Sequence, residues 1–99
     1  MNEKLLKIIS HYGVLPQLKY FQSEVFELNE AIIDFENDKR HNEELIQNDK
    51  EHIAEEIADI EVMLLQFKEY YQIDGNDILR IMNEKIERQL GRIENENNK

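Results

Sequence analysis

Apolar residues recur along this chain at three- and four-residue spacing, the period of amphipathic helices, and no stretch alternates as a strand would. Residues 3–12 read as a short helix with Leu5, Leu6, Ile8 and Ile9 on its apolar side. Gly13 follows, where a left-handed cap would end it. Pro16, the one proline, suits the first turn of a helix running to about Glu36. Its stripe is Leu18, Phe21, Val25, Leu28, Ile32 and Phe35. Residues 37–49 are polar and read as a connection, with room for a turn of helix around Glu43–Gln47. A third helix, capped by Asn48 or Asp49, continues to about Gln72. It has one stripe of Ile53, Ile57, Ile60, Leu64, Phe67 and Tyr71, and a second, roughly opposite, of Ala54, Ala58, Val62 and Leu65. Residues 73–77 form a turn, with Asp74 or Asn76 placed to cap a fourth helix from near Asp77. That helix carries Leu79, Met82, Ile86, Leu90 and Ile93. Gly91 lowers its propensity, and residues 94–99 are expected to fray.

The expected fold is all-α: a helical bundle of three long helices plus a short N-terminal helix, in one domain over residues 1–99. A lone chain of this size buries a modest fraction of its surface. A helix with two apolar faces also wants two neighbours. Both considerations predict completion of the bundle by homo-oligomerisation, most simply a two-fold dimer.

Charge narrows the classes of partner. Twenty-two acids against 12 bases give a formal net charge of −10. Such a chain lacks the cations that displace counterions from a nucleic-acid polymer, and it suits an anionic membrane surface poorly. A nucleotide whose charge is met by bound metal remains compatible with it. With no cysteine there is no disulfide, zinc-thiolate site or thiol nucleophile. The opening residues show no long apolar run, so a cytoplasmic location is expected.

Four acids stand apart from the general excess. Glu24 and Glu27 are three apart beside the second helix's stripe, and Glu56 and Asp59 are three apart between the two stripes of the third. A carboxylate held against apolar neighbours is costly unless something positive compensates it. If the two helices pack antiparallel, the pairs converge into an oxygen-rich site suited to Mg²⁺, or to Mn²⁺ in its place. Glu55 points away from Glu56, and Glu30 and Asp34 continue the Glu27 side as outer or solvated acids. Lys85, Arg88 and Arg92 form a basic line on the fourth helix, suited either to phosphate or to salt bridges with abundant glutamates. Asn83 lies on the other flank of that helix, so sharing one target with the basic line requires a second subunit. His52, one turn before Glu56, is placed to orient a carboxylate or simply to open its helix. Tyr20 is placed to touch a base or sugar, and Phe26 and Ile33 lie off the main stripe as interface residues.

The order of these motifs resembles the MazG-type, all-α nucleoside triphosphate pyrophosphohydrolases. The likeness rests on E-x-x-E at Glu24 and Glu27, the block Glu55-Glu56-Ile57-Ala58-Asp59-Ile60, and Asn83, Lys85, Arg88 and Arg92 in an N-x-K-x-x-R-x-x-x-R stretch, and it covers roughly residues 12–93. The resemblance implies that Glu24, Glu27, Glu56 and Asp59 ligate Mg²⁺, and that Asn83, Lys85, Arg88 and Arg92 contact phosphate or sugar, across subunits where needed. It implies a dimer or a dimer-of-dimers tetramer. The implied reaction is attack of water on a nucleoside triphosphate, giving the monophosphate and pyrophosphate. Ser23 departs from the family, which usually doubles the acid before its first motif.

In such a reaction Glu24 or Glu27 is expected to orient or deprotonate the water, while Lys85 and Arg88 offset charge on the leaving group. The competing class is a non-catalytic acidic helical module that binds a partner protein and needs no metal. A di-iron carboxylate bundle ranks last, since it needs two Glu-x-x-His motifs and the chain has none.

Overall fold

The computed structural model describes residues 2–37 and 43–98, and every element among them is a helix: α1 (Asn2–Tyr12), α2 (Val14–Asn37), α3 (Glu43–Tyr70) and α4 (Gly75–Asn97). The all-α expectation holds. The expected connection over 37–49 is shorter than its polarity suggested, because α3 already begins at Glu43, and residues 38–42 of that connection lie outside the described residues. Ile46, Asp49 and Ile53 are half-buried on one line of α3, which continues the line turned toward α2 through this polar stretch.

Gly13 is the hinge between α1 and α2. Its φ of +92° lies in the left-handed region, its N–H donates to Ile9 O at 2.8 Å, and its carbonyl accepts from Gln17 N at 3.1 Å. One residue thus ends the first helix and opens the second. Pro16 then falls in the first turn, where its missing N–H leaves nothing unpaired. α3 ends in a Schellman motif: Gln72 N–H donates to Glu69 O at 3.1 Å and Ile73 N–H to Lys68 O at 3.0 Å. Gln72 occupies the left-handed position (φ 56°) that glycine usually fills. Asp74 caps α4, its side chain accepting from Asn76 N at 2.9 Å.

The second and third helices form the spine as an antiparallel pair, and α1 packs across them. Their antiparallel sense follows from the pairings: Gln17 meets Gln66, Phe21 meets Phe67 edge-on with ring centroids 5.9 Å apart, and Glu24 meets Glu56. The inward line of α2 is Gln17, Phe21, Glu24, Leu28, Ala31 and Phe35, and that of α3 is Ile53, Glu56, Ile60, Met63 and Phe67. Both lines follow the 3.5-residue period of coiled-coil packing. They differ from the stripes expected from hydropathy by a rotation of part of a turn. Leu18, Val25 and Ile32 on α2 and Ile57, Leu64 and Tyr71 on α3 are exposed. An antiparallel pair sets like flanks side by side, so these six make one apolar flank of the hairpin, and Tyr20, Glu27, His52 and Asp59 make the opposite, polar one.

α4 lies along no other described helix over an extended face. Leu79, Met82, Ile86, Leu90 and Ile93 are all about half exposed. The radius of gyration is 17.5 Å, where a compact chain of this length has about 13 Å.

Candidate metal centre

Each acid reaches the site for a simple helical reason. Glu24 lies seven residues after Gln17 and seven before Ala31, on the line of α2 that faces α3. Glu56 holds the equivalent place on α3, seven before Met63. Both side chains therefore enter the seam: Glu24 is 5 % exposed and Glu56 8 %. Glu27, three residues on from Glu24, sits at the exposed edge of the polar flank. One carboxylate oxygen from each of Glu24, Glu27 and Glu56 lies within 4.8 Å of the others, a spacing that allows all three to ligate one ion.

Two of the three glutamates each leave one oxygen orphaned. Glu24 Oε2 and Glu56 Oε2 are buried without a hydrogen-bond partner. Burial pushes the Glu24 carboxyl above its ordinary range; a hydrogen bond from Tyr20 opposes this, and the charges of Glu27, Asp59 and Glu56 add to it. The Tyr20 hydroxyl is raised in turn, chiefly by that hydrogen bond and the Glu24 charge. Unpartnered carboxylate oxygens at a seam, with a third carboxylate at its rim, are what a hard divalent cation relieves. The cluster can hold a metal ion.

The remaining expected site residues are placed as follows. Asp59 is one turn beyond Glu56, exposed, and outside the three acids that converge, although its charge bears on both Glu24 and Tyr20. It lines a neighbouring cavity with Tyr20. Asn83, Lys85, Arg88 and Arg92 are exposed on α4, and the single chain does not bring them to the acids. His52, Glu30, Asp34 and Glu55 are exposed too.

Hydropathy gave no warning of a buried amide pair. Gln17 Nε2 donates to Gln66 Oε1 at 2.8 Å, and both side chains are buried beside Met63. Their one signal was spacing, since Gln17 stands two helical turns before Glu24, on the same line.

Comparison with protein-family models, with curated proteins and with solved structures gives no match for this chain. No helix among the described residues is long and apolar enough to cross a membrane.

Proposed function

We propose that the protein is a Mg²⁺-dependent nucleoside triphosphate pyrophosphohydrolase that converts a (d)NTP and water to the (d)NMP and pyrophosphate. One observation carries this reading: a carboxylate oxygen from each of Glu24, Glu27 and Glu56 lies within 4.8 Å of the others between two long helices, and Glu24 and Glu56 each keep a buried oxygen without a hydrogen-bond partner. An all-oxygen donor set suits Mg²⁺, with Mn²⁺ as substitute. Glu24, Glu27 and Glu56 would hold the ion, with Asp59 available from the polar flank. When bound, it supplies the positive charge that lets an acidic protein accept a polyphosphate, and it lowers the pKa of water.

The chain's own residues do the rest. Glu27, at the exposed rim, takes the proton of the attacking water, and Glu24, in hydrogen-bond contact with Tyr20, helps orient that water. The water oxygen bonds to the α-phosphorus, the bond from that phosphorus to its bridging oxygen breaks, and pyrophosphate leaves with the bonding pair. Lys85, Arg88 and Arg92 would offset charge on the phosphates from the α4 of a second copy, and Asn83, on the opposite flank, would donate its amide from the α4 of a different copy. A cytoplasmic location fits, since that is where the substrates are.

Exposed surface supports the second copy. The chain exposes 8344 Å², where a compact monomer of its mass exposes about 5,900 Å². The difference, roughly 2,400 Å², is comparable to what each partner hides in large obligate interfaces. The apolar flank of the α2–α3 hairpin and the stripe of α4 supply the residues for a homodimer or a dimer of dimers.

The same exposed flank favours the rival reading, a non-catalytic acidic module that binds another protein. The experiment that separates them is incubation of pure protein with Mg²⁺ and each dNTP, resolving the products. Monophosphate with pyrophosphate in equal amounts supports the enzyme. Diphosphate with orthophosphate refutes the bond assigned, and no turnover by any nucleotide favours the module.

A further inference from the structure

The sequence of the α2–α3 hairpin encodes two ways for its helices to face each other. On α2, Gln17, Glu24 and Ala31 are buried, and the residue after each, Leu18, Val25 and Ile32, is exposed. α3 repeats the offset: Glu56 and Met63 are buried, and Ile57 and Leu64, next after each, are exposed. One residue is about 100° of helix. Turning both helices by that angle would bring Leu18, Val25, Ile32, Ile57 and Leu64 into the seam and release Glu24 and Glu56 to water. Burial of apolar surface favours the turned packing. The observed packing therefore needs a contact that it alone provides.

Gln17 and Gln66 provide one. Gln17 Nε2 donates to Gln66 Oε1 at 2.8 Å across the seam, with both side chains buried. Met63 Sδ lies 3.9 Å from Gln17 Nε2 and 3.7 Å from Gln66 Nε2, so the buried thioether is a weak acceptor for both amides. Leucine at either position would pack with no polar group to satisfy, so stability alone does not call for this pair. Its geometry, by contrast, is exacting. A turn of one residue parts the amides. A slide of one heptad sets Gln66 against Glu24, or past the start of α2 at Val14. Both movements also part Glu24 from Glu56. The chain joins α2 to α3 beyond Asn37, at the far end of the hairpin, while the amide bond ties the end nearer Gln17, with the two glutamates in between. A lone polar residue at a core position of a coiled coil sets register in the same way, at a cost in stability.

We propose that Gln17 and Gln66 are positioning residues: their bond selects the packing in which Glu24 faces Glu56 over the more apolar packing that the same sequence allows. The selection is a property of the hairpin itself, and its bearing on function rests on the cation reading above.

The test compares wild type with Gln17→Leu/Gln66→Leu. The chain has no cysteine, so spin labels can be placed cleanly through Asn29→Cys on α2 and Glu61→Cys on α3, both exposed positions. Double electron–electron resonance in EDTA, with labelled chains diluted in unlabelled ones, reads the distance within one hairpin. Wild type should give a single narrow distribution. The variant should melt at an equal or higher temperature, yet give a shifted or split distribution, and its affinity for Mn²⁺, measured without labels, should fall at least tenfold. A merely structural pair would lower the melting temperature and leave the distance alone. If the double variant does not fold, Gln17→Met alone takes its place. Wild-type distances in the folded variant would overturn the proposal, whatever the Mn²⁺ affinity. Altered distances with wild-type Mn²⁺ affinity would overturn its bearing on the site. If wild type binds no Mn²⁺, the cation reading falls, and the distances alone still decide whether the amides select the packing.

Discussion

Glu24 and Glu56 meet across the seam of the α2–α3 hairpin, and each keeps a buried Oε2 atom with no hydrogen-bond partner. In a structure built for stability alone, these positions would carry leucine. Leaving a buried acceptor unsatisfied costs about 1–3 kcal/mol. Glu56→Gln brings its own donor and removes one charge from the cluster. It is expected to raise the melting temperature of metal-free protein, by roughly 4–8 °C for each kcal/mol recovered, and to abolish the further rise that wild type shows on adding Mg²⁺. Calorimetric scans with EDTA and with Mg²⁺ check both halves. Equal Mg²⁺ stabilisation of the two proteins would count against the site.

The raised Glu24 pKa makes stability depend on pH with a definite sign. Burial holds this carboxyl above its ordinary range in the folded chain. The folded state therefore binds the proton more tightly than the unfolded state does. The resulting stability is fully present below the unfolded pKa and is lost as pH rises through the folded value. Metal-free protein should become more stable as pH is lowered from neutral into the mildly acidic range. Mg²⁺ should stabilise it less over the same range, because protons and metal compete for one carboxylate. Urea titrations at stepped pH measure both trends, and Glu24→Gln should flatten them.

Two backbone positions invite opposite substitutions. Gly13 has φ +92°, while a Cβ there would meet Pro16 Cδ at an ordinary 3.5 Å. Gly13→Ala should thus cost about 1–2 kcal/mol through left-handed strain rather than collision. Gln72 already bears that strain at φ 56°, and Gln72→Gly should recover up to about 1 kcal/mol. Chemical denaturation of both variants checks the signs.

Exposed apolar residues on the outer flank of the hairpin and on α4 predict self-association. Sedimentation should show a dimer or tetramer. Ile57→Glu or Ile86→Glu should shift it toward monomer and, if the proposed second copy supplies Lys85, Arg88 and Arg92 to the acids, reduce turnover with it. A fully active monomer would refute that arrangement.

The sequence pattern foretold the four helices among the described residues and the Gly13 break, and of its two candidate caps for α4, Asp74 and Asn76, the structure uses Asp74, because each depends on local chemistry. It misjudged which way α2 and α3 face. Hydropathy favoured Leu18, Val25 and Ile32, whereas the line turned to α3 is Gln17, Glu24 and Ala31, one residue earlier in each case. Polar residues occupy buried positions at the candidate site, so the rule that apolar means inside fails just there. Glu24, Glu27 and Glu56 were still recognisable from their spacing, whereas Asp59, expected with them, stands outside the cluster. The amide pair was not, since a lone glutamine on a helix is ordinarily a solvated residue. The basic line on α4 could be read in sequence but not placed, and the single chain leaves it exposed and away from the acids.

Mn²⁺ titration followed by electron paramagnetic resonance tests the central claim most directly, because it needs no substrate. Wild-type protein should remove free Mn²⁺ from solution in a saturable way, with Mg²⁺ displacing it, and the folded Glu24→Gln/Glu56→Gln variant should leave the free-ion signal untouched. Equal binding by both proteins, or none by wild type, would contradict a divalent cation held at the seam by these glutamates.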